Sequence, residues 1–362
     1  MTEFKVDYSV VDRLLHRLAM GQLEMQKSLS RIEDRAFDAA HSDITASNPV
    51  FITSLPRAGT TLLLELIASA PDFVSHSYRD MPFLLCPLTW DRVSHRFRLR
   101  AEARERAHGD GMLVGYDSVE AFEEILWHAF WPEHVESYRI RPWAPDDEDE
   151  EGEFATFLRQ HMRKMIGLGR RRSESLAPQR YVSKNNANIA RLEWLSRHFP
   201  DGTVLVPYRD PKSHVASLFR QHENFLNWHA KDAFALHYME TIGHLEFGKA
   251  LRPIDFDGWL ATASDLDPKF PDFWAEYWIA AFDAILRTAG PHAVFISYDR
   301  LCSAPSAGLA ALEARTGVKA DAFTAAAHVH VTTAHESVIR IDPKRAFRQQ
   351  EILAQLDARA LF

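Results

Sequence analysis

Between residues 8 and 38 apolar side chains return at helical intervals, with Val11, Leu14, Leu15, Leu18, Leu23 and Met25 set among polar neighbours. A stripe that recurs every three or four positions marks an amphipathic helix, so the chain opens with a helical lead-in that carries no chemistry of its own. The rhythm then changes. Short β-rich runs recur at residues 49–54, 72–75, 180–183, 203–208 and 293–298, with helical stretches between them. Strands joined by helix-length crossovers predict an α/β fold, a three-layer arrangement in which a mostly parallel sheet carries helices on both faces. Such sheets bind phosphate-bearing ligands beyond the carboxyl ends of their strands.

A chain of 362 residues, 46% of them hydrophobic, has enough apolar content for a substantial core. The expected organisation is a helical extension over residues 1–47 and one domain over 48–362, with residues 86–179 inserted as a largely helical cap over the acceptor site. Within that insertion Arg92, Arg96, Arg98, Arg100, Arg104 and Arg106 fall in one predicted helix with His95 and His108, tempered by Glu102 and Glu105. A solvated or subunit-contacting face explains them better than attraction of an acidic acceptor does. The acidic run 146–151 reads as an exposed, self-repelling loop. Trp127, Phe130, Trp131, Trp143, Trp228, Trp274 and Trp278 are expected mainly in the core, with about two left to line a cleft.

Two cysteines, Cys86 and Cys302, cannot build a disulfide framework. No run approaches the ~20 apolar residues of a membrane span, and Met1-Thr-Glu-Phe-Lys5 has no apolar leader, so a cytoplasmic location is expected. A formal net charge of −8 disfavours nucleic acid as a partner, so any anion must be attracted locally. Homo-oligomerisation stays open.

The local attraction is visible after the first strand. Ser54-Leu-Pro-Arg-Ala-Gly-Thr-Thr61 separates an apolar run from the helical run beginning at Leu62, giving strand, tight loop and helix. Unpaired amides at a helix N-terminus cradle phosphate or sulfate oxygens, and Gly59 lets the backbone come close. In the phosphate loop of nucleotide hydrolases, G-x-x-x-x-G-K-[ST], a Lys reaches the terminal phosphates. Here Ser54 stands for the first Gly and Thr60 for the Lys, while Thr61 keeps the hydroxyl and Arg57 puts a planar cation inside the loop.

A strand followed by P-R-[SA]-G-T-T resembles the 5′-phosphosulfate loop of sulfotransferases that use 3′-phosphoadenosine 5′-phosphosulfate (PAPS), of a bacterial type distantly similar to tyrosylprotein sulfotransferases. The run from Thr203 to Phe219 contains Arg209-Asp-Pro and, further on, Ser217, similar to that family's 3′-phosphate motif. By its own spacing Asp210 caps a helix begun by Pro211, and Ser213 and Ser217 share a face. The resemblance implies donor binding by Arg57, Ala58, Gly59, Thr60, Thr61, Arg209 and Ser217, with adenosine 3′,5′-bisphosphate as the product and no metal. It also implies a P-loop-like phosphosulfate loop at the head of the sheet.

Arg180-Tyr-Val-Ser-Lys-Asn-Asn-Ala-Asn188 is similar to a family segment whose Lys contacts the transferred group, which carries that role to Lys184. Asn186 stands where relatives have Pro. In tyrosylprotein sulfotransferases a Glu about twenty residues after the loop is the base, and the corresponding position here is Tyr78. Arg79-Asp-Met-Pro82 is similar to another carboxylate-bearing family segment, so Asp80 is the first candidate base and His76 the second. Ala293-Val-Phe-Ile-Ser-Tyr-Asp-Arg-Leu301 resembles a late architectural strand, and Ser337, Arg340, Lys344 and Arg345 lie where relatives cover the donor. His328, His330 and His335 lack a further ligand at metal-site spacing. The favoured acceptor is a carbohydrate or glycolipid hydroxyl, ahead of a small alcohol, phenol or peptide tyrosine. An atypical P-loop kinase or hydrolase and a noncatalytic anion-binding protein are the alternatives.

Overall fold

The computed structural model describes residues 10–94, 104–105, 113–114, 118–144, 147, 152–318 and 339–362. Outside the described residues lie His95, Arg96, Arg98, Arg100, Glu102, Arg106, His108, most of the acidic run 146–151, His328, His330, His335 and Ser337.

All five β-rich runs form strands of one sheet: β1 (Val50–Ile52), β2 (Phe73–Val74), β3 (Arg180–Lys184), β4 (Thr203–Tyr208) and β5 (Ala293–Ser297). Their order is β2-β3-β1-β4-β5, and every pairing is parallel. The period-two alternation of side chains sorts these strands onto two cores. Val50, Ile52, Val182, Leu205, Val294 and Ile296 pack against Leu63, Leu64 and Ile67 of the helix Thr60–Ala68. On the opposite face Phe51, Tyr181, Val204, Val206 and Phe295 join a larger core. Because both faces are covered, strands as short as three residues are buried throughout, as parallel sheets require.

We number the helices used below α1 (Val10–Met20), α2 (Leu23–Ala40), α3 (Thr60–Ala68), α4 (Glu153–Ser173), α5 (Pro211–Lys231), α6 (Pro271–Thr288) and α7 (Pro343–Ala358). The larger core is built from α4, α5, α6 and α7, with Trp274 and Trp278 of α6 fully buried. Burying such a side chain stabilises the fold by about 1.5–3 kcal/mol. The lead-in breaks into two helices at Gly21, whose amide closes onto Arg17 O at 3.0 Å. Its second helix, α2, is tied to α4 through Lys164, buried with Nζ 2.6 Å from Ser30 Oγ and 3.3 Å from Glu33 Oε2.

The insertion departs from its expected single arginine-rich helix. Arg92 lies in the helix Pro87–Ser94, whereas Arg104 and Glu105 sit in a two-residue strand paired antiparallel with Leu113–Val114. There the backbone is satisfied across a ladder instead of along a helix. Asp147, the one described member of the acidic run, is held by the Ala144 amide at 2.7 Å and by Arg141 at 3.3 Å.

Candidate active site

The loop leaves β1 through Thr53, whose amide donates to Leu205 O on β4 at 3.0 Å. It then turns through two left-handed residues, Arg57 at φ 70° and Gly59 at φ 99°. Gly59 precedes α3 and supplies no capping side chain, so the first-turn amides of this helix keep their donors for an anion. The need for glycine has a second origin that the sequence did not indicate. A Cβ at this position would stand 2.3 Å from Tyr298 Cδ2, so the close approach is that of a tyrosine ring.

Strand order assembles the remaining cations. β1 runs between β3 and β4, so Lys184, in register with Ile52, and Arg209, just past Tyr208, flank the loop from either side. Arg57 Nε donates to Ser217 Oγ at 3.3 Å, and Arg209 Nη1 donates to Arg57 O at 3.4 Å, so the two motifs touch. Asp210 caps α5 by accepting from the Ser213 amide at 2.8 Å, which fixes the helix face that carries Ser217. The Arg209 guanidinium stands 5.2 Å from the Tyr298 ring, and its buried Nε has no hydrogen-bond partner among the described residues. An orphaned cationic donor at the edge of an anion loop suits an anionic ligand.

One turn along α5, fully buried His214 braces the loop. Its Nε2 donates to Pro56 O at 2.8 Å while its Nδ1 accepts from Trp278 Nε1 at 3.2 Å. Burial, assisted by the charges of Arg209 and Arg57, lowers its pKa to about 3. The ring is therefore neutral at physiological pH, with one nitrogen donating and the other accepting.

Arg57, Thr60, Thr61, Lys184, Asn186 and Glu246 line one cavity at the head of the sheet. Asn186 bridges it: Thr60 Oγ1 donates to Asn186 Oδ1 at 3.2 Å, and Asn186 Nδ2 donates to Glu246 Oε1 at 3.0 Å. A second cavity adjoins the first and shares Pro56, Asn186, His244 and Glu246 with it.

The sequence-predicted donor residues thus converge: Arg57, Thr60, Thr61 and Lys184 share a cavity, Ser217 and Arg209 bond to Arg57, and Ala58 and Gly59 form the turn. The two candidate bases do not join them. His76 and Asp80 follow the edge strand β2, two places from β1, which is roughly 10 Å at ordinary strand spacing. Asp80 is buried, with Oδ1 on Arg172 Nη2 at 2.7 Å and Oδ2 on the Ser77 amide and hydroxyl at 2.8 and 3.1 Å. His76 is equally buried, with Nε2 2.7 Å from His161 Nε2, and burial lowers its pKa. Both side chains are committed to holding this edge of the sheet. Asn188 likewise turns inward, donating to Glu123 at 2.9 Å.

The aromatic residues of the insertion are mostly core. Trp127 and Trp143 stand 4.0 and 4.2 Å from the buried guanidinium of Arg191. Arg345, in the C-terminal polar stretch, pairs with Glu276 at 2.8 Å. His214, His244 and Glu246 were missed, and Tyr298 was read only as part of an architectural strand element. His214 carried a signal, being one turn from the Asp210 cap; His244 and Glu246 lie far from either motif in sequence.

A parallel sheet whose central strand runs into an uncapped helix flanked by three cations defines an anion-handling α/β protein. The chain belongs to the sulfotransferase family, whose profile matches residues 49–250. Its activity class is therefore transfer of a sulfuryl group. Similar solved structures include sulfotransferase STF1 from Mycobacterium tuberculosis H37Rv, at 17% identity, 82% of this chain and 75% of that one, TM-score 0.42. Sulfotransferase STF9 from Mycobacterium avium is 15% identical over 99% of this chain and 98% of that one, TM-score 0.46. The sulfotransferase domain from the curacin biosynthetic pathway is 14% identical over 86% of this chain and 98% of that one, TM-score 0.41. No curated protein matches the sequence. Among the described residues no helix is long and apolar enough to cross a membrane.

Proposed function

We propose that this chain transfers the sulfuryl group of PAPS to an acceptor hydroxyl. The observation that carries the reading is the contact between the two motifs: Arg57 bonded to Ser217, and Arg209 to the Arg57 carbonyl. Two anion sites held one hydrogen bond apart suit a single ligand with phosphate-type groups at its 5′ and 3′ positions. In this reading the α3 amides and Thr61 hold the 5′-phosphosulfate, and Arg209 with Ser217 holds the 3′-phosphate. Arg57 and Lys184 neutralise charge that develops on the bridging oxygen as the leaving phosphate departs.

The acceptor proposed is a carbohydrate or glycolipid hydroxyl. The second cavity supports it by setting Tyr277 and Leu251 beside Asn185, Asn186 and Arg252, apolar surface for a sugar face next to polar groups for its hydroxyls. Residues 86–179 are proposed as the acceptor cap and the cytoplasm as the location, in keeping with two unpaired cysteines.

Calorimetry with adenosine 3′,5′-bisphosphate and with ATP, each with and without magnesium, tests the reading. Binding of the bisphosphate without magnesium supports it, and magnesium-dependent ATP binding in its place overturns it. A screen of alcohols, phenols and saccharides with PAPS, read by product mass, then names the acceptor.

A further inference from the structure

Resting on that donor reading, we infer that Glu246 is the general base that takes the acceptor's proton, and that Asn186 positions it. Four residues line both cavities: Pro56, Asn186, His244 and Glu246. An acceptor hydroxyl attacking a donor-bound sulfur must pass this junction, and of the four only His244 and Glu246 can take a proton. His244 Nε2 donates to Ala121 O at 2.9 Å, which leaves Nδ1 as its basic nitrogen, and among the described residues no hydrogen bond links this ring to the donor loop. Glu246 is the residue that the structure ties to the donor loop.

The tie is a relay of fixed polarity. Thr60, the first residue of α3, donates its hydroxyl to Asn186 Oδ1. With its oxygen so used, Asn186 presents N–H to Glu246 Oε1, which accepts. Two side-chain bonds, of 3.2 and 3.0 Å, therefore set the carboxylate's distance from the amides that would hold the phosphosulfate. The base comes from a segment remote in sequence, and the amide that seats it comes from the Lys184 turn.

In the step, the acceptor O–H proton passes to Glu246 Oε2 as the acceptor oxygen bonds to sulfur. The bond from sulfur to the bridging phosphate oxygen breaks, and its electron pair leaves on adenosine 3′,5′-bisphosphate beside Arg57 and Lys184. Glu246 then releases the proton to solvent, leaving a sulfate ester.

The test uses the full chain and the acceptor identified by the screen. Glu246→Gln is expected to lower kcat about 100-fold or more while adenosine 3′,5′-bisphosphate affinity stays within about twofold by calorimetry. Asn186→Ala is expected to cost about tenfold and to move the acidic limb of the kcat/KM profile upward, because a carboxylate stripped of a donor holds its proton more tightly. A purely structural asparagine would leave that limb in place. A crystal structure with adenosine 3′,5′-bisphosphate, which needs no acceptor, should put the Glu246 carboxylate within about 8 Å of the 5′-phosphate, the reach of an in-line transfer. Glu246→Gln with kcat within about threefold of wild type, or a complex with His244 facing the phosphate and Glu246 turned away, overturns the inference alone. Failure of the unmodified chain to bind the bisphosphate overturns the donor reading and this inference with it.

Discussion

Arg57 occupies the left-handed region at φ 70°, a conformation that costs a non-glycine residue about 1–2 kcal/mol. The surrounding bonds hold it there: Ser217 receives its Nε, Arg209 binds its carbonyl and His214 binds the carbonyl before it. In the proposed reading, strain concentrated at this one cation, between the groups assigned to the 5′ and 3′ ends of the donor, serves to preorganise the site. Arg57→Ala and Lys184→Ala are each expected to lower kcat about 100- to 1,000-fold, read by product formation at saturating PAPS. Arg209→Ala is expected to weaken adenosine 3′,5′-bisphosphate by about 10- to 100-fold in calorimetry with a smaller effect on kcat, since a charged hydrogen bond contributes about 1.5–3 kcal/mol. Unchanged affinity in Arg209→Ala would mean that this guanidinium holds no phosphate.

At the scale of elements, the site is three strand ends and the first turns of two helices, locked by a late tyrosine. Tyr298 follows β5 and fills the space beside Gly59, so sheet order, and not sequence proximity, brings the ring to the loop. Gly59→Ala therefore meets both an unfavourable φ and a ring edge. It is expected to lower the unfolding free energy by about 1–3 kcal/mol in urea titration and to reduce nucleotide binding. In a Tyr298→Ala background the cost of Gly59→Ala should be smaller, because the ring it would meet is gone. An equal cost in both backgrounds would assign the whole effect to the backbone.

Across the whole molecule, buried histidines make the fold sensitive to acid. Burial is the main reason that the pKa falls to about 4 for His16, about 3 for His214 and about 4 for His222. Each folded value lies below the ordinary 6.5, so the unfolded chain binds protons that the folded chain refuses. The stability these residues contribute is fully present above pH 6.5 and is lost as pH falls toward 3–4. Urea midpoints should fall steadily from pH 6.5 to pH 5, with a slope on the order of a few kcal/mol per pH unit. A flat profile over that window would show that the rings are charged in the folded chain.

The sequence by itself determined the five strands, the α/β layering, the loop at 54–61 and the cap at Asp210. These follow from side-chain periodicity and from turn chemistry between neighbouring residues, both of which are local. It also put Arg57, Lys184 and Arg209 at strand ends, which is where a parallel sheet gathers its ligand-binding groups. Strand order decided the rest. With β2 at the edge, Asp80 and His76 reach Arg172 and His161 of α4 instead of the loop. With β1 between β3 and β4, the chain can fold residues 243–254 over the junction and bring Glu246 to Asn186. Contacts across 60 residues, such as that one, depend on which elements pack side by side, and no local spacing encodes them.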